Sequence, residues 1–150
     1  MPLIHHVVQG AGAPPIVLVH GFACAHADWD AQVAHFSPRR QTVGVDLRGH
    51  GQSPGELQDV SIEQYGADVA AVMRALKLAP AVIVGHSMGC MVALEAAQAA
   101  PKHTAGLILV DGSQFSASAI PGLKARFDAG EFDGVANDMF TQMFTPRSDP

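Results

Sequence analysis

No apolar stretch of this chain approaches the roughly 20 residues that a membrane-spanning helix needs, so the membrane is not an expected partner. The opening residues, Met1-Pro2-Leu3-Ile4-His5-His6, have neither a basic leader region nor a long apolar core, which argues against a signal peptide. Cysteine is scarce. Cys24 and Cys90 lie far apart without metal-ligand spacing, which fits free thiols in a reducing, cytoplasmic setting. Basic residues are few and scattered, 9 against 14 acidic, for a net charge of -5. That balance argues against nucleic acid and anionic lipid and leaves a small molecule as the expected partner. There is no internal repeat and no low-complexity tract.

What is present is a core. Of 150 residues, 48% are hydrophobic, enough for one globular domain with a buried interior. Ile4–Gln9 reads as a short first strand, closed by the turn Gly10-Ala11-Gly12-Ala13-Pro14-Pro15. Three continuous apolar runs follow at wide intervals: Ile16–Val19, Thr42–Val45 and Ala81–Val84. Leu107–Val110 is a fourth. Such runs mark strands buried on both faces of a parallel sheet. Between them lie helical segments: Ala27–Phe36, with Trp29, Val33 and Phe36 inward, then one opening at Ser61, and Met88–Ala100, stopped by Pro101. Ser61-Ile62-Glu63-Gln64 predicts a capping box, with Gln64 reaching back to its N-cap. Strands alternating with helices at this spacing predict an α/β fold with right-handed crossovers.

The chemistry concentrates where strands end. In a parallel sheet the carboxyl ends share one edge, so His20-Gly21-Phe22, Asp46, Ser87 and Asp111 are expected to gather there. Gly85-His86-Ser87-Met88-Gly89, between a buried strand and a helix, has the pattern of a nucleophile elbow. A β-carbon at either glycine would collide across so sharp a turn. Ser87 is the expected nucleophile. The backbone amides of Phe22 and Met88 are the expected oxyanion donors, with Gly21 allowing close approach.

Four ordered segments carry a family likeness: Val17-Leu18-Val19-His20-Gly21-Phe22, Asp46 through Ser53, Gly85 through Gly89, and Leu107 through Asp111. In order and spacing they resemble the α/β-hydrolase superfamily. The resemblance implies a mainly parallel sheet with helices on both faces over residues 1–112, and the start of a helical cap over 113–150. Five of seven phenylalanines fall in that second part, in helix-like stretches around 119–129 and 132–144, which suits a lid over an apolar pocket. By resemblance the expected activity is hydrolysis of an ester, lactone or related acyl bond through an acyl-serine intermediate, without cofactor or metal. The alternative is a non-catalytic small-molecule-binding relative.

The chain also departs from the pattern. Such hydrolases carry serine, acid and histidine in that order. After Ser87 this chain has one histidine, His103, which the intervening helix carries some 18 Å toward the opposite sheet edge at ~1.5 Å per residue. Asp111 ends a strand on the correct edge and is the candidate acid, although capping the following turn would also account for it. His20 is expected to brace the oxyanion loop, His86 and His50 to be structural, and His5, His6, His26 and His35 to face solvent. Asp46 is expected to organise the Arg48–Ser53 loop. His20, Cys24, His26 and Asp28 lack the regular spacing of a zinc site. These features imply a fold truncated after the start of its cap, with an open edge at Leu107–Val110. A complementing C-terminal segment and a second copy of the chain are both open as partners.

Overall fold

The apolar tetrads become strands because nothing in them can meet water, and the helices between them return the chain to the same starting edge. In the computed structural model, which describes residues 3–55, 60–112 and short pieces between 125 and 138, five strands form one sheet. They are β1 (His6–Gln9), β2 (Ile16–Val19), β3 (Thr42–Val45), β4 (Ala81–His86) and β5 (Thr104–Val110), in the order β1-β3-β2-β4-β5. Only the β1–β3 pair is antiparallel; β3–β2, β2–β4 and β4–β5 are parallel. β4 and β5 outrun the expected boundaries at His86 and Thr104, because backbone pairing continues past the apolar tetrads.

The helices are α1 (Asp30–Phe36), α2 (Ile62–Ala75) and α3 (Met88–Ala99). Val17, Val19, Val43, Val45, Ala81 and Ile83 turn one face of the sheet into a core against Tyr65, Val69, Val72 and Met73 of α2 and Val92, Ala93 and Ala96 of α3. On the other face, Gly44 leaves room for His26, whose Cβ would stand 3.3 Å from a β-carbon there. Val33 of α1 is buried as expected, but Phe36 is 39% exposed. The cause is a break in the helix: residues His26–Trp29 wind as a tighter 3-10 turn, shifting the face that α1 presents. The Ser61 hydroxyl accepts from the Gln64 amide at 3.2 Å, as a helix cap should. The Gln64 side chain does not reach back; it donates to Asp68 instead, at 3.2 Å.

β5 ends the strand order, and Ile108, Leu109 and Val110 are 51%, 47% and 41% exposed. Among the described residues this edge is unpaired, as expected from the sequence. No helix among them is long and apolar enough to cross a membrane. The chain divides into two compact units, Met1–Ser113 and Gln114–Pro150. Within the second, Arg126 bridges Glu131 and Asp138 at 3.0 and 2.7 Å. The helix-like stretches expected around 119–129 and 132–144, and the lid they would form, lie almost wholly outside the described residues.

Candidate active site

Ser87 sits between β4 and α3 at φ 51°, ψ -119°, a left-handed conformation that a serine adopts only under constraint. The constraint is contact between backbones. A β-carbon on Gly85 would stand 2.2 Å from the Gly89 carbonyl oxygen, and one on Gly89 would stand 2.5 Å from those of Val19 and His20. Strand, helix and the end of β2 are therefore pressed together, and the chain turns within one residue. The Ser87 amide donates to the Val110 carbonyl at 3.0 Å, which ties the turn to the end of β5. Asp111, the next residue, is exposed at φ 50° on the same sheet edge.

Across from Ser87 runs the loop that leaves β2. A β-carbon on Gly21 would lie 3.2 Å from the Ser87 Cβ, so the loop carrying Phe22 passes Ser87 too closely to take a side chain there without a small shift. His20 braces that loop: its Nδ1–H donates to the Gly21 carbonyl at 2.7 Å, while Nε2 accepts from the Leu47 amide at 3.0 Å. Burial, opposed by the Gly21 bond, holds its pKa below the usual value. With both nitrogens engaged, His20 has no lone pair for a serine proton. His50 donates from Nδ1 to the Arg48 carbonyl at 3.1 Å, and its buried Nε2 has no partner among the described residues. The Phe22 ring meets it edge-on, with centroids 6.4 Å apart.

Beside the turn opens a cavity of 360 Å³ lined by His20, Gly21, Cys24, Asp28, Trp29, Gln32, His86 and Val110. Ser87 is not itself in the wall; Gly21 across from it and His86 before it are. The His86 ring stands edge-on to Trp29, centroids 6.4 Å apart, and the indole N–H is buried without a partner among the described residues. Cys24 has a pKa raised by burial and by Asp28, so its thiol stays protonated.

His103 lies at the far edge. It precedes Thr104, which pairs with Ala81 at the start of β4, and its Nδ1 donates to the Leu78 carbonyl at 2.9 Å. Among the described residues, no histidine is hydrogen-bonded to the Ser87 hydroxyl.

One cluster escaped the sequence reading. Asp46 does organise its loop, accepting from the Gln52 amide at 2.9 Å, and Ser53 closes the loop onto the Asp46 carbonyl at 2.6 Å. It also binds two histidines that were expected to face solvent. His5 Nδ1 donates to Oδ2 at 2.8 Å; His26 donates to Oδ1 from Nδ1 at 2.9 Å and from its backbone amide at 2.7 Å. The side chains of His5 and His26 are only 28% and 21% exposed, and that of Asp46 is fully buried. Burial alone would raise the carboxyl pKa, but these four donors outweigh it and hold Asp46 at about 2. The partners lie 41, 20 and 6 residues away in sequence, so no local pattern announces them.

The chain is 42% identical over 128 residues to a pimeloyl-[acyl-carrier protein] methyl ester esterase of Methylococcus capsulatus, covering 83% of this chain and 48% of that protein. It is 35% identical over 130 residues to a non-heme chloroperoxidase of Streptomyces lividans, covering 85% of this chain and 44% of that protein. The solved structure of Est816, an N-acyl homoserine lactone degrading enzyme, superposes with a TM-score of 0.75 at 30% identity, over 83% of this chain and 48% of that one. The chain thus spans about half the length of these relatives. A family model described as the alpha/beta hydrolase fold matches residues 14–149, and the chain belongs to that family.

Proposed function

We propose that this chain is the nucleophile-bearing part of a serine hydrolase acting on an ester, lactone or related acyl bond of a small molecule. The observation that carries the proposal is Ser87 at φ 51°, held by two glycines whose β-carbons would have no room. Strain of this kind costs on the order of 1–3 kcal/mol and persists where a site uses it. In this reading Ser87 attacks the acyl carbon. The amides of Phe22 and Met88 stabilise the oxyanion, the second of them at the N-terminus of α3. Asp111 is the candidate acid, at the end of β5 beside the Ser87 amide's partner. Residues 113–150 begin a cap. Esterase and lactone-degrading activities among the relatives support the substrate class.

A base must still take the serine proton. None of the described histidines is placed for it. We assign the base to the part of the fold that corresponds to the uncovered half of the relatives.

Without that histidine, acylation by an activated ester is slow and deacylation slower, so an acyl-enzyme accumulates. The test is incubation with a chromogenic acetate ester, with and without free imidazole as a substitute base, followed by peptide mapping. The expected result is an acetyl group on Ser87, more of it with imidazole, and none in Ser87→Ala. Failure to acylate Ser87 under either condition, with ligand affinity unchanged in Ser87→Ala, would establish the binding-only alternative. Rapid turnover by the chain alone that Ser87→Ala abolishes would instead locate a base within these 150 residues.

A further inference from the structure

We propose that His5, His26 and Asp46 form a site for a divalent transition-metal ion such as zinc, clipping together three segments of the sheet's carboxyl edge. Their candidate ligand atoms all lie within 4.8 Å of one another. The donor set of two imidazole nitrogens and one carboxylate oxygen suits zinc, cobalt or nickel rather than calcium or magnesium, which favour all-oxygen sites.

The geometry is close to what such an ion needs. The two Nδ1 atoms stand 2.8 and 2.9 Å from opposite oxygens of one carboxylate. Bonds of ~2.0–2.1 Å in a tetrahedral site place neighbouring ligand atoms ~3.3 Å apart, so the hydrogen-bonded pairs must open by about half an ångström and the widest pair, within 4.8 Å, must close by at most about 1.5 Å. The carboxylate is already aimed by two donors that an ion would leave in place, the backbone amides of His26 and Gln52. Such outer hydrogen bonds orient ligands in metal sites. Gly51 leaves the space this arrangement requires, since a β-carbon there would stand 2.4 Å from the Asp46 carboxyl carbon. Partial exposure of both imidazoles provides an entry path and room for coordinated water.

The exchange balances. In the metal-free protein each neutral imidazole carries its proton on Nδ1 and donates it to Asp46. When the ion binds, each Nδ1 lone pair goes to the metal and the proton passes through solvent to Nε2. A ring that starts protonated releases one proton. The ion replaces two N–H donors to the carboxylate and keeps the two amide bonds. It would join the segment before β1, the 3-10 turn at His26 and the loop after β3 in one coordination sphere.

Thermal unfolding of the full chain with zinc ion, against a chelator-treated control, tests this. A hundredfold excess over Kd is expected to raise Tm by about 5–10 °C. The shift should vanish in both His5→Gln and His26→Gln, which retain a polar side chain, and persist in His35→Ala, which removes an exposed histidine elsewhere. Cobalt ion should give the visible absorption of a tetrahedral nitrogen–oxygen site in the parent and not in either Gln variant. Absence of a zinc shift in the parent chain, or one of equal size in the Gln variants, would show that the cluster is a hydrogen-bond clamp only and overturn the assignment.

Discussion

The Ser87 turn and the Asp46 hub lie on the same sheet edge and are held by opposite means. At Ser87 the backbone is forced: three segments approach so closely that Gly85 and Gly89 admit no β-carbon, and the serine between them takes a conformation it would otherwise avoid. At Asp46 the side chain is satisfied: one buried carboxylate collects four donors from the segment before β1, the 3-10 turn and its own loop. The first arrangement stores strain and is fixed by sterics. The second relieves a buried charge and is fixed by electrostatics. Their responses to substitution and to pH must therefore differ.

The sharpest way to break the comparison is at its steric side. Gly89→Ala would place a methyl group 2.5 Å from two backbone oxygens that cannot swing away. The expected loss is at least ~3 kcal/mol, read as a fall in Tm of roughly 6–12 °C or as insoluble protein. Near-parental stability would show that the turn is looser than its spacing.

Asp46→Asn probes the electrostatic side. An amide retains one acceptor oxygen but turns two N–H donors toward groups that themselves donate. The expected loss is about 2–3 kcal/mol by denaturant titration, with the midpoint shifted and the slope unchanged.

The acid limb of stability tests the same carboxylate without mutation. Asp46 titrates at about 2 in the folded chain against an ordinary 3.8, so its contribution is complete above pH ~4.5. As pH falls through that range toward 2, the unfolded state takes up the proton first, and about 2 kcal/mol is lost. The acid-induced loss should shrink by that amount in Asp46→Asn. An unchanged acid limb would assign the loss to other carboxylates.

The smallest effect should be a gain. Ser87→Gly removes the cost of a positive φ, so stability is expected to rise by about 1 kcal/mol while acylation at position 87 disappears. A neutral or destabilising result would mean that the serine conformation is unstrained, and the Ser87 turn would then resemble the hub after all.

The two regions also differ in how legible they were. The Ser87 turn could be read because its determinants are local: an apolar strand, two glycines at fixed spacing and a helix-forming sequence, all within Ala81–Ala99. The four strands Ile16–Val19, Thr42–Val45, Ala81–Val84 and Leu107–Val110 were legible for the same reason, since burial on both faces leaves an unbroken apolar run. The placement of His103 at the far edge followed from helix length alone. Phe36 was misplaced because a 3-10 turn rotates the faces of the helix after it, and residues 26–36 carry no signal of that break. His5 and His26 read as surface groups in the sequence because a polar residue near a strand or a helix start ordinarily is one.

The sequence by itself settled the α/β class, the order of strands along the chain and the sharp turn at Ser87, because each leaves its mark in a run of neighbouring residues: unbroken apolar tetrads, helix-forming stretches and two glycines around Ser87. Tertiary structure alone decided the strand order in space, the antiparallel placement of β1, the cavity beside His86 and Trp29, and the meeting of His5, His26 and Asp46. Those features join residues separated by 20 positions or more, and their partners are chosen by the sheet's twist and packing rather than by any neighbour along the chain.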